Sequence, residues 1–299
     1  MTYLNIAEAV PLGYALVARV ASDAGVRALC IKGPITSELG LRPVSHVSQD
    51  VDLLVDPNDA QTLAVALVRS GWRAVPPSAA GKIVAPHSEQ FTHAHFGLEL
   101  DLHVRFPGFF VDPQRVFDLL WARRREVGFA EIPCPAVDSD AALAIEILHL
   151  ARDPDAQWPR LRRALAAPRL SAPEFQALVI QLGAAPVMSQ WLPSLPTGDE
   201  MSPEIQRWTV RASVGRTTST GALFELRSTR GCRERVRLVW RLAFMPRQEL
   251  MRKYPELRDA PLGVLRACLR RWLSGAVAMP EAIRRLARAK SLGGGPQSP

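Results

Sequence analysis

The alternation of apolar and polar residues divides the chain into a first part rich in strands and a second part rich in helices. Residues 5–24 and 56–72 repeat apolar positions at helical spacing, and residues 34–40 begin with a proline and end with a glycine, as short helices do. Short apolar runs typical of strands occur at residues 28–33, 50–55 and 73–77. These elements predict a mixed β-sheet combined with helices.

The second half of residues 87–106, "HSEQFTHAHFGLELDLHVRF", alternates strictly between apolar and polar side chains. Successive side chains of a strand point to opposite faces. One face therefore receives Leu98, Leu100, Leu102 and Val104, and the other receives Glu99, Asp101 and His103. The pair Phe96-Gly97 separates this run from an earlier alternating run, which predicts a β-hairpin that turns there.

From about Asp112 onward the pattern is helical and is interrupted by many prolines. The last residues, "SLGGGPQSP", contain almost no core-forming side chains. The predicted fold class is therefore α+β, with a small mixed-sheet domain over residues 1–130. A mostly helical domain follows over residues 131–290, and residues 291–299 are predicted to form a disordered tail.

Composition narrows the class of protein. The chain has 299 residues, of which 47% are hydrophobic and 22% charged, so it has enough length for one large or two ordinary domains. No apolar stretch is long enough for a membrane helix, and the first residues contain an acid but no basic segment before the apolar run. The four cysteines have no paired spacing. We therefore expect a globular protein of the cytoplasm with no membrane partner.

The net charge of +8 is unevenly distributed along the chain. Residues 207–290 carry 20 Lys and Arg against 6 Asp and Glu, so the first 206 residues carry a net negative charge. A basic segment of this kind could bind nucleic acid, a nucleotide or another anionic partner. It is equally typical of solvated helix faces, and the sequence alone leaves both interpretations open.

Two acids stand one residue apart inside the apolar segment "SQDVDLLVD". On a strand, Asp50 and Asp52 share one face with Leu54, and two like charges there are unfavourable unless a cation or hydrogen-bond donors compensate them. A third carboxylate from a neighbouring strand would complete a site for Mg²⁺, which prefers oxygen ligands. Glu99 and Asp101 share one strand face, so spacing alone does not choose between them.

These residues resemble a known family. "IKG" at 31–33, "DVDLLV" at 50–55 and "LDLHV" at 100–104 are similar to motifs of the uncharacterised nucleotidyltransferases of the DNA polymerase β-like superfamily. The resemblance implies a polymerase β-like nucleotidyltransferase domain followed by a helical companion domain. The resemblance is close over residues 28–106. The remainder of the chain is similar to the family only in being helical.

The resemblance also implies a reaction and its residues. The chain would transfer an NMP group from an NTP, most plausibly ATP, to a hydroxyl-type acceptor with release of pyrophosphate, using two Mg²⁺ ions that Mn²⁺ could replace. The residues implied as metal ligands and catalytic groups are Asp50, Asp52 and Asp101. The residues implied as nucleotide-binding are Lys32, Gly33, His46 and Ser48, and Glu99 and His103 are candidate supporting groups. The acceptor would be a small molecule, peptide or protein, with nucleic acid less favoured.

Two alternatives remain open at this point. Relatives often have an arginine before the first aspartate, where this chain has His46, and this difference favours an inactive nucleotide-binding or regulatory module of the same fold. The other alternative is a metal-dependent hydrolase, in which His93 and His95 would join Asp101 and His103. His149 lies on an apolar helix face and is interpreted as a core residue.

Overall fold

The structure is a computed structural model, and it describes most of the chain. The described residues are 4–43, 47–76, 88–93, 95–152, 154–196, 202, 204–206, 208–209, 226, 229, 231–244, 247, 250, 254–257, 260 and 262–292. They fall into two compact units, the first within residues 1–76 and 87–208 and the second within residues 77–86 and 209–299. Within the described residues, no helix combines the length and apolar character that crossing a membrane requires.

The first unit is built around a mixed seven-stranded sheet. Its strands are β1 (Ala28–Cys30), β2 (Asp50–Val55), β3 (Trp72–Val75), β4 (Ser88–His93), β5 (Leu98–His103), β6 (Arg125–Phe129) and β7 (Ile132–Ala136). Their order across the sheet is β3-β4-β5-β2-β1-β7-β6. The pairs β2–β5 and β1–β7 are parallel, and the other four pairs are antiparallel. The predicted α+β class with a mixed sheet is confirmed.

Several α-helices accompany this sheet in the described part of the first unit. They are α1 (Ile6–Asp23), α2 (Pro34–Glu38), α3 (Ala60–Arg69), α4 (Pro113–Ala122), α5 (Ser139–Leu150), α6 (Pro154–Leu165), α7 (Pro173–Gln181) and α8 (Ala185–Met188). A 3₁₀ helix spans Pro168–Ser171. Helix α1 begins with a capping box, in which Asn5 and Glu8 satisfy each other's backbone amides.

Helix α1 covers the apolar face of the central strands. Val51, Leu53 and Leu100 are almost completely buried on that face. Gly13 of α1 lies so close to it that a Cβ atom there would be 2.6 Å from Leu98 Cδ1. Burial of this face leaves the polar side chains of β2 and β5 on the other side of the sheet.

Two strands, β6 and β7, were missed by the sequence analysis, which predicted only helices after Asp112. Strand β7 has the sequence "IPCPA", and proline is disfavoured in strands because it lacks an amide hydrogen. β7 nevertheless pairs with β6 along its whole length and meets β1 at the Cys30–Ala136 pair. The sheet therefore continues to Ala136, and the first unit extends to Trp208. The domain boundary predicted at residue 130 remains a prediction.

The second unit is helical in its described residues. It contains α9 (Cys232–Ala243), a 3₁₀ helix (Pro255–Leu257) and the long α10 (Gly263–Leu292). A small core forms where Leu250, Tyr254 and Ala267 pack together. Helix α10 continues two residues into the predicted tail, and residues 293–299 of that tail lie outside the described residues.

Candidate active site

Parallel pairing of β2 with β5 brings the predicted acids together. Asp52 pairs with Asp101, and Asp50 pairs with Glu99, so all four side chains project from one face of the sheet. Asp50 and Asp101 are half-buried, Glu99 is exposed, and Asp52 is only 2% exposed. The condition on which the candidate site depends, that Asp101 lies on the same face as Asp50 and Asp52, is therefore met.

Asp52, Asp101 and His103 form a group that could hold a metal ion. One ligand atom from each residue lies within 4.8 Å of the others, and no further such group occurs in the described part of the chain. Neither Asp50 nor Glu99 belongs to this group. Carboxylate oxygens suit a hard divalent ion, and a nitrogen ligand from histidine is compatible with one. The donor set therefore fits a divalent metal, and it favours Asp101 over Glu99 as the third acid.

Asp52 already has two donors in this structure. Lys32 Nζ lies 2.5 Å from Asp52 Oδ1, and His103 Nε2 lies 3.1 Å from the same oxygen. Burial acts to raise the pKa of the Asp52 carboxyl, but the charge of Lys32 and the hydrogen bond from His103 outweigh it and hold the pKa well below its ordinary value. Asp52 is therefore ionised at neutral pH.

Asp50 has the opposite shift. Burial and the negative charge of Asp52 raise the pKa of the Asp50 carboxyl, although Lys32 partly offsets them. Ser48 Oγ donates to the Asp50 carboxylate at 3.3 Å. The neighbouring acid disfavours the ionised form of Asp50. A nearby cation, such as a bound metal ion, would stabilise that form.

The buried hydroxyl of Tyr14 connects Lys32, which follows β1, with Asp52 of β2. It donates to the Lys32 carbonyl oxygen and accepts from the Asp52 amide, both at 3.1 Å. Burial and the charge of Asp52 raise the pKa of Tyr14 well above its ordinary value, so the hydroxyl keeps its proton. The sequence analysis missed this residue because a tyrosine on an apolar helix face resembles an ordinary core residue.

Gly33 follows Lys32 and has a positive backbone φ of +71°, which favours glycine. A Cβ atom there would lie 2.6 Å from the Tyr14 hydroxyl oxygen. Helix α2, which begins after Gly33, has only five residues, so its dipole adds little to binding of an anion. Lys32 and Gly33 are the predicted phosphate contacts at this turn, and Lys32 is the one that supplies a positive charge.

We expect Gly33→Ala to lower the free energy of unfolding by about 2–3 kcal/mol, because the added methyl meets Tyr14 and the backbone is strained. Gly40→Ala is the matched control, since Gly40 has φ at +70° but nothing within 4 Å of a Cβ atom. The control should lose about 1 kcal/mol from backbone strain alone. Urea unfolding measures both, and equal losses would contradict the proposed contact with Tyr14.

A second set of buried charges was not predicted. Arg42, after α2, donates to both carboxylate oxygens of Glu146 in α5, at 3.1 and 2.9 Å. Glu146 is completely buried and also accepts from Arg160 at 3.0 Å. A glutamate inside the apolar run "ALAIEILHLA" was a visible signal, because a charge is buried only when it is paired.

His149, interpreted as a core residue, is half-buried on α5. Burial and then the charges of Lys32 and Arg42 lower the pKa of His149 to about 3, although Asp52 acts in the opposite direction and Arg152 adds to the lowering. The imidazole of His149 is therefore neutral in the folded protein at neutral pH.

The pKa of His149 predicts a dependence of stability on pH. Between about pH 6.5 and pH 3 the unfolded chain binds the proton and the folded chain does not, so stability should fall as the pH is lowered through this window. We expect a loss on the order of 2–4 kcal/mol. His149→Gln should remove most of this loss in urea unfolding at pH 7 and pH 4.5. An unchanged difference between the two pH values would show that other groups cause it.

The structure does not bring together the four residues of the hydrolase alternative. His93 pairs with Leu98, so it projects from the face opposite to Asp101 and His103. There it packs against the rings of Trp72 and Phe96, with centroids at 5.1 and 4.7 Å. The predicted metal site of His93, His95, Asp101 and His103 is therefore wrong.

The remaining predicted residue, His46, lies outside the described residues. Its proposed contact with nucleotide stays a prediction. The described residues on either side of this position are Pro43 and Val47, and Ser48 follows with its bond to Asp50.

The sequence profile of a family described as uncharacterised nucleotidyltransferases matches residues 14–179, more than half of the chain. The matched segment contains "IKG", "DVDLLV" and "LDLHV", so the resemblance predicted from these motifs is confirmed. No curated protein sequence matches the chain.

Three solved structures show a distant likeness to this chain. An antigenic nucleotidyltransferase-like protein from Paracoccidioides brasiliensis is 17% identical, with 62% of this chain and 92% of that chain covered and a TM-score of 0.36. The antibiotic-resistance factor ANT(2'')-Ia is 15% identical, with 61% and 92% covered and a TM-score of 0.40. A tRNA nucleotidyltransferase is 13% identical, with 93% and 99% covered and a TM-score of 0.27. Likenesses this distant assign no substrate.

Proposed function

The chain belongs to the family of uncharacterised nucleotidyltransferases, and we propose that this transferase moves an NMP group from ATP to a hydroxyl-type acceptor and releases pyrophosphate. The observation that carries the proposal is the pairing of Asp52 with Asp101 on the face that also holds Asp50. Three carboxylates from two adjacent strands, beside the ammonium of Lys32, suit a substrate that combines phosphates with divalent cations.

We propose Mg²⁺ as the cofactor, as two ions that Mn²⁺ could replace. Asp50 and Asp52 would be ligands of both ions, and Asp101 would complete the site of the catalytic ion, with His103 and Glu99 in supporting positions. Bound divalent ions would supply Lewis-acid stabilisation of the charge that develops on the triphosphate. Lys32, Gly33, His46 and Ser48 would contact the nucleotide.

Two of the protein's own residues would handle the proton of the acceptor hydroxyl. As the acceptor oxygen bonds to the α-phosphorus, the bond from that phosphorus to the bridging oxygen breaks and pyrophosphate leaves. Asp101 would take the hydroxyl proton, and Gln90, whose Nε2 donates to Asp101 Oδ1 at 3.1 Å, would hold that carboxylate in position. The acid is half-buried and so can receive a substrate group.

The acceptor is proposed to be a small molecule, a peptide or a protein, with nucleic acid less favoured. The excess of positive charge in residues 207–290 would bind an anionic part of the acceptor or the nucleotide. All four cysteines are free thiols, which fits the reducing cytoplasm where we place the reaction.

The proposal is tested by incubating the protein with Mg²⁺, a cell extract and each of the four NTPs labelled at the α-phosphate. We expect label from ATP to appear on an acceptor, with an equal amount of pyrophosphate released. If the protein binds ATP but releases no pyrophosphate with any extract, the chain is instead the inactive nucleotide-binding module.

A further inference from the structure

The ion pair between Lys32 and Asp52 is enclosed within the protein. The Lys32 side chain is 9% exposed and the Asp52 side chain 3% exposed, with Nζ 2.5 Å from Oδ1. His103 Nε2 lies 3.1 Å from the same oxygen. The negative charge of Asp52 is thus fully compensated by the protein itself.

Asp52 also belongs to the group that could hold a metal ion, together with Asp101 and His103. A lysine ammonium and a divalent cation at one carboxylate repel each other, and the repulsion is strong where burial removes solvent screening. Metal binding at Asp52 is therefore in competition with Lys32.

We propose that Lys32 is a nucleotide-dependent switch, whose ammonium group occupies the cation position at Asp52 until a triphosphate draws it away and allows the metal to bind. This inference rests on the proposed function, because it takes the triphosphate as the ligand of Lys32. It makes Lys32 a positioning residue in the free protein and a phosphate ligand in the loaded one.

Hydrogen bonds fix the backbone around the Lys32–Asp52 pair, so a response of Lys32 to a ligand would involve its side chain. Tyr14 holds the Lys32 carbonyl and the Asp52 amide, each at 3.1 Å. The lysine stem has four rotatable carbons, and Nζ has no fixed geometry of hydrogen bonding. The ring of Phe106 lies 5.7 Å from Nζ and gives the ammonium a weak second contact.

The switch predicts that metal and nucleotide bind cooperatively. The free protein should bind a divalent ion weakly, and the triphosphate should strengthen that binding. Because such coupling is reciprocal, the metal should strengthen nucleotide binding by the same factor.

The first test measures binding of Mn²⁺ alone to the full-length chain by electron paramagnetic resonance. Lys32→Met should bind Mn²⁺ at least about tenfold more tightly than the wild type, because the competing cation is gone. Arg19→Met is the matched control, since it also removes one positive charge but from an exposed pair with Asp23. The control should bind like the wild type. Equal or weaker Mn²⁺ binding by Lys32→Met would overturn the proposal.

The second test keeps Lys32 intact and so does not depend on the stability of Lys32→Met. The chain has only four lysines, so a variant with Lys82→Arg, Lys253→Arg and Lys290→Arg contains a single lysine for ¹⁵N labelling. Its ammonium resonance should shift when Mg²⁺ and the α,β-methylene analogue of ATP are added together. A resonance that does not change would overturn the switch.

The two proposals fail in different ways. Turnover of an NTP by the wild type, without tighter Mn²⁺ binding in Lys32→Met, removes the switch alone. Tighter Mn²⁺ binding in Lys32→Met, without pyrophosphate release by the wild type under any condition, supports the competition between cations and removes the transferase reaction.

Discussion

Asp52→Asn is expected to lower the rate of NMP transfer by roughly a thousandfold, because a metal ligand contributes several kcal/mol of transition-state stabilisation and about 1.4 kcal/mol corresponds to a factor of ten. The substitution keeps the size of the side chain and its hydrogen bond to His103 Nε2. It removes the negative charge that both Lys32 and a metal require. Pyrophosphate release at saturating Mg²⁺ and ATP measures the effect.

Glu99→Gln is the matched control for this prediction. Glu99 lies on β5 beside Asp50, on the same sheet face and with the same charge, but it is exposed and outside the group that could hold a metal ion. Because Glu99 is proposed only in a supporting position, we expect the rate of Glu99→Gln to fall by less than about tenfold, far less than that of Asp52→Asn. If Asp52→Asn, shown to be folded by urea unfolding, retained the wild-type rate, the assignment of the site would be wrong.

Glu146→Gln should lower the free energy of unfolding by about 3–5 kcal/mol, because it removes the carboxylate charge that pairs with the buried guanidinium of Arg42. Both oxygens of Glu146 accept hydrogen bonds, and Arg42 is only 8% exposed. Burial acts to lower the pKa of Arg42, but the hydrogen bond and charge of Glu146 outweigh it and raise this pKa above its ordinary value. A guanidinium is not deprotonated in proteins, so Arg42 stays charged when Glu146 is neutralised.

The control for Glu146→Gln is Glu38→Gln, which breaks the surface pair between Glu38 and Arg125. The Glu38 side chain is 53% exposed, so we expect a loss below about 1 kcal/mol. A double variant, Arg42→Met with Glu146→Leu, should be more stable than Glu146→Gln, because it removes both charges. Equal losses for the two single variants would show that the buried pair contributes little.

The sequence was sufficient to predict the two strands that carry the acids of the candidate site. Strict alternation in residues 98–104 predicted which side chains share a face, and the structure pairs that strand in parallel register with β2. The turn at Phe96-Gly97 was also correct, since Gly97 has φ at +63° and its amide donates to the His93 carbonyl. A period of two residues is a local property, so a single sequence reveals it.

Contacts between distant segments were beyond the reach of the sequence. Arg42 and Glu146 lie 104 residues apart, and nothing near Arg42 indicates that it is buried. The pairing of Lys32 with Asp52 was also not predicted, because a lysine after a strand resembles a solvated strand end. Strand β7 was missed for a local reason, since its two prolines contradict the usual composition of a strand.

The register between β2 and β5 has a consequence for how such an enzyme can diverge. Interstrand hydrogen bonds hold paired strands about 4.8 Å apart, and they fix the separation of Asp52 and Asp101 without help from the segments between them in the chain. Those segments can change in length and composition while the acids keep their spacing. One reaction could thus be inherited unchanged across a lineage whose members each modify a different compound.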